Sequence, residues 1–424
     1  MTTLRARRPR TIAAAFAAGL ASVLATAPIL AANGFVEDVD VIHAIHGDAS
    51  SGYFGWAVAE LRDVDGDGVT DFLVSDPTRA TGGAAYAYSG ASGDPIFVVE
   101  RPAPNLYGYA IADAGDTNRD GTNDVLVGDI AGTGSADLLS GVDGSLIHRF
   151  EGAAAGDEFG SAVATAGDVD GDGAADVMIG ARGADTGNGA NSGLVDIYSG
   201  DDFTLIRSIP GRTAGDLFGS ATDLAGDLDG DGQLDHVIGA RGADPKRNGA
   251  AYAFSGATAD ELWAFTAPRT GEELGSFFVA GLDDVDGDGT PDVYAADYAD
   301  RAHGQGTGRA FVLSGADGTP IHEWDGYRNK EGVGPGRETG DVDGDGIQDV
   351  AVGHYTSSDG ARGAGKTVIF SGATGDPLRT MTSTTRRENF GFDTVGLGDV
   401  NGDGRPDLLV SAATGRNVYV IAGQ

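Results

Sequence analysis

A nine-residue acidic motif occurs seven times along the 424-residue chain, and its regular spacing restricts the possible folds. The copies begin 52 to 59 residues apart. A period of this length indicates a protein built from repeated structural units. The copies are DVDGDGVTD (63–71), DTNRDGTND (116–124), DVDGDGAAD (168–176), DLDGDGQLD (227–235), DVDGDGTPD (284–292), DVDGDGIQD (341–349) and DVNGDGRPD (399–407).

Each copy has similar flanking sequence. An apolar run follows it, then a second run that ends in Ser-Gly in six units, and then a third run. An aromatic-Gly pair precedes the motif in five units, while Leu274-Gly275 and Val333-Gly334 replace it in units five and six. With a further short strand before the motif, each unit holds about four strands separated by Gly and Asp turns. The five aromatic pairs are Phe54-Gly55, Tyr107-Gly108, Phe159-Gly160, Phe218-Gly219 and Phe390-Gly391.

Seven units of four strands predict an all-β fold, namely a seven-bladed β-propeller with four-stranded antiparallel blades. Unit seven has only three runs, and residues 41–45 align with the third run of unit two, at 146–150. We therefore expect strand 41–45 to complete blade seven and close the ring. The alternative is a linear stack, which would leave open sheet edges that need caps. The composition suits short strands and tight turns, with 71 Gly and 41% hydrophobic residues.

The acidic motif has the chemistry of a calcium loop. Asp at positions 1, 3, 5 and 9 supplies carboxylate oxygens, position 7 offers a backbone carbonyl, and Ca²⁺ takes six to eight oxygens. The loops have nine residues and lead into strands, so they are not EF-hands, and the alternative for each is a hydrated turn. We predict up to seven Ca²⁺ ions. The predicted ligands are Asp63, Asp65, Asp67, Val69, Asp71, Asp116, Asn118, Asp120, Thr122, Asp124, Asp168, Asp170, Asp172, Ala174, Asp176, Asp227, Asp229, Asp231, Gln233, Asp235, Asp284, Asp286, Asp288, Thr290, Asp292, Asp341, Asp343, Asp345, Ile347, Asp349, Asp399, Asn401, Asp403, Arg405 and Asp407.

The charge of the chain narrows the possible partners. The formal net charge is −36, which argues against nucleic acid as a partner because nucleic-acid binding requires a basic face.

The chain contains no Cys, so disulfides, zinc-thiolate sites and cysteine nucleophiles are excluded.

The first residues are typical of an export signal. Arg5, Arg7, Arg8 and Arg10 precede a small apolar stretch at 11–26, and no later apolar segment is long enough to span a membrane. We predict a signal peptide at 1–32, with the cleavage site unassigned, and one propeller domain at 33–424. A retained signal anchor is the alternative. The mature protein is expected to be secreted, periplasmic or at the cell surface, as a monomer.

The aromatic-Gly pair, acidic loop and apolar strand together resemble the FG-GAP repeat, across residues 41–424. This repeat builds the N-terminal propeller of integrin α subunits and is found in many bacterial secreted proteins. The resemblance implies structural calcium in loops between the first and second strands at a lower rim, and ligand binding on the opposite, upper face. Units two, five and six depart from the Phe-Gly pattern, which leaves their local packing open.

The loops assigned to the upper face contain much of the scarce positive charge. We therefore consider a binding or adhesion module for an extracellular protein or glycan, with an acidic ligand as one hypothesis. The alternatives are a hydrolytic propeller and a lectin. No catalytic motif is found, Asp297 and Asp300 are the one carboxylate pair considered, and the three Trp do not recur in register. The cations considered are Arg79, Arg182, Arg212, Arg241, Lys246, Arg247, Arg269, Arg301, His303, Arg328, Lys330, His354, Arg362, Arg386 and Arg387, with Tyr327 and Tyr355 beside them.

Overall fold

The computed structural model describes residues 34–244, 248–267 and 273–423, and every regular element in them is a β-strand. The predicted signal peptide at 1–32 lies outside these residues, as do Lys246, Arg247 and Arg269. The described residues contain no helix long and apolar enough to cross a bilayer.

The strands form seven antiparallel sheets of four, which confirms the predicted seven-bladed propeller. The first four blades are β2 (Val58–Leu61), β3 (Asp71–Asp76), β4 (Ala84–Tyr88) and β5 (Pro95–Glu100); β6 (Ile111–Gly115), β7 (Asp124–Asp129), β8 (Ser135–Leu139) and β9 (Leu146–Glu151); β10 (Phe159–Gly167), β11 (Asp176–Ala181), β12 (Leu194–Tyr198) and β13 (Leu205–Pro210); and β14 (Phe218–Gly226), β15 (Asp235–Ala240), β16 (Ala250–Phe254) and β17 (Glu261–Thr266). The last three are β18 (Val279–Leu282), β19 (Asp292–Asp297), β20 (Arg309–Leu313) and β21 (Pro320–Asp325); β22 (Val333–Gly340), β23 (Asp349–His354), β24 (Lys366–Phe370) and β25 (Pro377–Thr382); and β26 (Thr394–Gly398), β27 (Asp407–Ala412) and β28 (Asn417–Ile421) with β1 (Val41–His46).

The ring closes as the sequence predicts. Strand β1 pairs antiparallel with β28, with Val41 opposite Ile421 and His46 opposite Asn417. The first strand of each blade packs against the first strand of the next, and β2 also contacts β26 of blade seven. Both ends of the described chain therefore contribute to blade seven, which has four strands like the other six.

The hydrophobic core lies between the blades rather than in one centre. The second strand of every blade is buried along its whole length, which explains why these runs are continuously apolar. At the closing contact, Phe54 and Phe72 of blade one pack in one cluster with Leu409 and Val418 of blade seven. Each blade thus buries the face of its neighbour.

The aromatic-Gly pair joins consecutive blades. Phe218 forms a parallel bridge with Gly193 of the preceding blade, and a Cβ on Gly219 would lie 2.5 Å from the carbonyl oxygen of Leu194. Leu274 and Val333, which replace the aromatic in units five and six, are fully buried and form the equivalent bridges. The departures from the repeat therefore leave the joint between blades intact.

His236 occupies a second-strand position that is apolar in the other six blades. It is fully buried, and its Nε2 lies 3.1 Å from the carbonyl oxygen of Ala166, to which it donates. Burial is the main cause that lowers the pKa of His236 to about 4. The imidazole is therefore neutral in the folded protein under conditions in which the unfolded chain begins to take up a proton.

We expect His236→Val to weaken the loss of stability in acid. Between about pH 6.5 and pH 4 the unfolded state binds the proton and the folded state does not, so this group removes up to about 3 kcal/mol as the pH falls. Melting temperatures at pH 7 and pH 4.5, in excess calcium, should differ less in the variant than in the wild type. His46→Gln, at an exposed position, is the control, and an unchanged acid loss in His236→Val would contradict the assignment.

Candidate metal loops and ligand pocket

The acidic motifs join the first and second strands of every blade, so all seven lie on one face of the ring. In five of them, carboxylate oxygens from positions 1, 3 and 9 lie within 4.8 Å of one another. Three carboxylates at this separation provide about half of the oxygens that Ca²⁺ takes. The five groups are Asp63, Asp65 and Asp71; Asp168, Asp170 and Asp176; Asp227, Asp229 and Asp235; Asp284, Asp286 and Asp292; and Asp341, Asp343 and Asp349.

The Asp at position 9 also has a structural role that the sequence reasoning missed. Asp71 accepts the N–H of Val64 at 2.8 Å and the N–H of Gly90 at 3.0 Å. The same two bonds occur in all seven blades. A Cβ on Gly90 would lie 1.9 Å from the carbonyl oxygen of Thr70, which explains the recurring Gly after the third strand. The Asp at position 9 therefore joins the acidic loop to the turn after the third strand of the same blade.

Positions 1 and 5 shape the loop through backbone contacts. The Asp63 carboxylate accepts the N–H groups of Gly66 and Gly68 at 2.7 and 2.8 Å, and both glycines have positive φ. Asp67 at position 5 accepts the N–H of Val69 at 2.9 Å. Position 5 thus lies outside the three-carboxylate groups, and the role of all five positions as ligands stays a prediction.

Two loops differ because Asn stands at position 3. The Asn118 amide nitrogen lies 3.2 Å from an Asp124 oxygen, and the Asn401 amide nitrogen lies 3.3 Å from an Asp407 oxygen. In this orientation each amide donates to the carboxylate at position 9. These two loops have one negative charge fewer and an internal donor, so we expect them to attract a cation less strongly than the other five.

The buried carboxylates at position 9 lack positive charge. Burial raises the pKa of Asp71, Asp176 and Asp292 to about 6, with a further increase from the neighbouring Asp at position 3. A divalent cation in the loop would supply the missing charge and favour the ionised form. The donor set therefore fits calcium.

Six of the twelve described cations considered for the upper face are paired with carboxylates. Arg79 contacts Asp48 at 2.9 Å and Glu100 at 3.2 Å, and Arg182 contacts Glu158. Of the others, Arg212 pairs with Glu261, Arg328 with Asp359, His303 with Asp325 and His354 with Glu331. These ion pairs neutralise much of the predicted basic face.

The carboxylate pair considered for hydrolysis is not available at the surface. Asp297 and Asp300 are each about 1% exposed. Asp297 accepts the backbone N–H groups of Glu273 and Ala299, and Asp300 lies 3.7 Å from Nε of Arg309. Both carboxylates hold loops in place, which argues against a glycosidase pair at this position.

A cavity of about 490 Å³ runs along the centre of the ring, and an aromatic rim surrounds it on the upper face. Six side chains of blades one, two, five, six and seven form this rim. Consecutive ring centroids lie 5.4 to 6.4 Å apart, and the last ring returns to the first. Trp56 and Phe277 also contact each other across the rim, with centroids 6.2 Å apart. In order around the rim they are Trp56, Tyr109, Phe277, Tyr298, Tyr355 and Phe392.

The sequence contains a signal for this rim. Trp56, Tyr109 and Phe392 each follow directly the Gly of an aromatic-Gly pair, while Tyr298 and Tyr355 each follow directly the second strand of their blade. Trp alone does not recur at these positions because the type of aromatic residue changes from blade to blade. Comparing all aromatic residues at these two positions would have found five of the six.

The walls of the cavity carry an excess of negative charge. Among the described residues, Glu60, Asp113, Asp223, Glu338 and Asp393 line it together with one cation, Arg337, which contacts Asp393 at 3.0 Å. Burial is the main cause that raises the pKa of Glu338 to about 8 and that of Asp223 to about 6. The carboxylates are therefore undercompensated, and a cation that entered the cavity would stabilise their charged forms.

Comparison with known proteins agrees with the fold. The FG-GAP repeat matches residues 159–198 and 218–254, and an FG-GAP-like repeat matches 341–410. Integrin alpha-PS2 of Drosophila melanogaster is 30% identical over 261 residues, which are 55% of this chain and 18% of that protein. Integrin alpha-PS5 of the same organism is 33% identical over 123 residues, which are 26% of this chain and 12% of that protein.

These relatives are much longer than the matched region, since the chain spans less than a fifth of each. Among solved structures, Raptor of Chaetomium thermophilum matches 92% of this chain and 29% of its own, with a TM-score of 0.56 and 11% identity. That likeness shows the fold alone. The chain thus carries FG-GAP repeats, and its seven-bladed ring fits the N-terminal propeller of integrin α chains.

Proposed function

We propose that this FG-GAP propeller is an exported, calcium-stabilised binding module whose aromatic rim captures a cationic side chain of an extracellular protein. The observation that carries the proposal is the position of six aromatic rings over a cavity whose described lining includes five carboxylates and one Arg. Calcium has a structural role at the opposite face. Binding, rather than catalysis, accounts for both faces of the ring.

The aromatic rim suits a cation. The negative face of an aromatic ring attracts a guanidinium or ammonium group within about 6 Å of its centroid. The Arg182 guanidinium already lies 5.2 Å from the Tyr109 centroid and 6.0 Å from that of Phe277. No cation of the described residues lies over Trp56, Tyr355 or Phe392.

The walls below the rim suit the rest of a Lys or Arg side chain. Val58, Ile111 and Val279 line the cavity with the rim, so an aliphatic stem would meet apolar atoms. The charged end would reach the carboxylates, where Glu338 and Asp223 lack compensating charge. One side chain can therefore use both parts of the cavity.

We expect Nα-acetyl-arginine amide to quench the fluorescence of Trp56, and to bind more tightly as the pH rises from 6 to 9. Because their pKa values are raised, some of the cavity carboxylates are protonated at pH 6. Ionisation of these carboxylates at higher pH strengthens cation binding, while the guanidinium stays charged throughout. An increase in affinity of about tenfold is expected, equivalent to one unit of pKa shift on binding. Fluorescence titration in millimolar calcium measures it.

Matched variants separate the rim from the other tryptophans. Trp263 and Trp324 donate to backbone carbonyls of the next blades at 2.6 and 3.0 Å, so Trp324→Phe should leave the quenching unchanged. Trp56→Leu should abolish the quenching and weaken binding measured by calorimetry. Equal quenching by Nα-acetyl-glutamate amide, or binding that weakens with rising pH, would contradict the proposal.

A further inference from the structure

A second cavity, of about 320 Å³, opens on the upper face between blades five and six, and we call it the interblade cleft. Tyr298 and Tyr355 belong both to its wall and to the aromatic rim. Arg301, Gln305 and Lys330 line the part that lies away from the central cavity. The cleft therefore combines aromatic surface with cationic and neutral polar groups.

Three loops build the interblade cleft, and hydrogen bonds tie them together. The Lys330 N–H donates to the carbonyl of Gln305 at 2.8 Å, and the Thr356 hydroxyl donates to the carbonyl of Lys330 at 2.6 Å. The Gln305 N–H donates to the side-chain oxygen of Asn329 at 2.9 Å. The walls are thus held in place before a ligand arrives, which lowers the entropic cost of binding.

The acids beside these cations are engaged elsewhere. Asp300 is buried beside Arg309, and Glu331 contacts Lys366 at 3.3 Å and accepts two backbone N–H groups. Within the described ranges, Arg301 and Lys330 make no ion pair. Two uncompensated cations meet at one cavity in a chain whose net charge is −36.

We propose that the interblade cleft binds a hexuronate, a pyranose sugar that carries a carboxylate. Arg301 and Lys330 supply charge-assisted donors for the carboxylate. The half-buried faces of Tyr298 and Tyr355 supply apolar surface for the sugar ring, and Gln305 and Thr356 offer partners for its hydroxyls. The volume suits one sugar residue, at the lower end of the range for ligand pockets.

This site goes beyond the capture of a cationic side chain, and its ligand has the opposite charge. It adds an acidic glycan of the extracellular surroundings to the partners of the upper face. Trp56 borders only the central cavity, so occupation of the two sites can be read separately.

The test compares methyl β-glucuronide with methyl β-glucoside, which differ only at C6, where the first has a carboxylate and the second a neutral hydroxymethyl group. Saturation-transfer NMR in calcium should show binding of the glucuronide and at least about tenfold weaker binding of the glucoside, as expected for loss of a charge-assisted pair. The double variant Arg301→Gln and Lys330→Gln should weaken glucuronide binding by about tenfold or more. Arg386→Gln, a loss of charge in an exposed loop, should change it less than about twofold.

The remaining outcomes each decide the question. Equal binding of the two sugars, or equal loss in Arg386→Gln and the double variant, would overturn the proposal. Tighter binding of Nα-acetyl-glutamate amide than of the glucuronide would also overturn it, in favour of an acidic peptide. The double variant should keep its melting temperature and the quenching of Trp56 by Nα-acetyl-arginine amide, so failure of one site is distinguishable from failure of the other.

Discussion

Removal of calcium with EGTA is expected to lower the melting temperature of this protein by about 16 °C. A site held at 100 times its dissociation constant contributes about 2.7 kcal/mol, so five carboxylate-rich loops contribute about 13 kcal/mol. The unfolding entropy of a chain of this length is about 0.8 kcal/mol per degree. Dividing the lost binding free energy by this unfolding entropy gives the expected change in melting temperature.

Differential scanning calorimetry with and without EGTA measures this change, and metal analysis of the dialysed protein gives the number of ions. We expect five ions at limiting calcium and up to two more at higher concentration, since Asn118 and Asn401 weaken their loops. Magnesium should restore less stability than calcium because it keeps its water and requires octahedral geometry. A melting temperature that does not respond to EGTA would remove the structural role of calcium.

Replacing the Asp at position 9 is expected to destabilise the protein with or without calcium. Asp292 accepts the N–H groups of Val285 at 2.8 Å and Gly315 at 3.0 Å, and Asp292→Ala leaves both donors without a partner. Two lost acceptors at buried N–H groups cost about 4 kcal/mol in total. Melting should therefore fall by about 5 °C in EGTA, and further in calcium, where the site is also lost.

Asp286→Ala is the matched control within the same loop. Asp286 is exposed, at position 3, and the one hydrogen bond that it accepts within the described residues is from the N–H of Asp288, at 3.0 Å. Its replacement should cost about 3 kcal/mol in calcium and close to nothing in EGTA, where it also relieves repulsion of Asp292. If the two variants responded alike to EGTA, position 9 would be a metal ligand without the structural role argued above.

The ring and its closure were predictable because they rest on periodicity. The apolar runs repeat with the acidic loops, and residues 41–45 align with an ordinary outer strand, so the missing strand of blade seven could be assigned without coordinates. The observed strand, Val41–His46, is one residue longer. A feature that every blade shares occurs seven times in the sequence, so it can be recognised even where one copy departs from the pattern.

Features that differ between blades were not predictable in the same way. Arg328 pairs with Asp359 and Arg79 with Asp48, and in each case the partner lies in another loop that only the folded ring brings near. The predicted basic face was therefore too basic. The aromatic rim was missed for a related reason, since Trp56 and Phe392 are equivalent in position but different in type.

The pairing of β1 with β28 has a consequence for how two copies of the chain meet. The two strands are separated by about 370 residues. Closing so long a loop has a large entropic cost, so β28 is left without a partner until β1 pairs with it. Until then its free edge can accept the equivalent six residues of a second copy. Refolding at high protein concentration should therefore yield strand-exchanged dimers, in which β1 of each copy completes blade seven of the other.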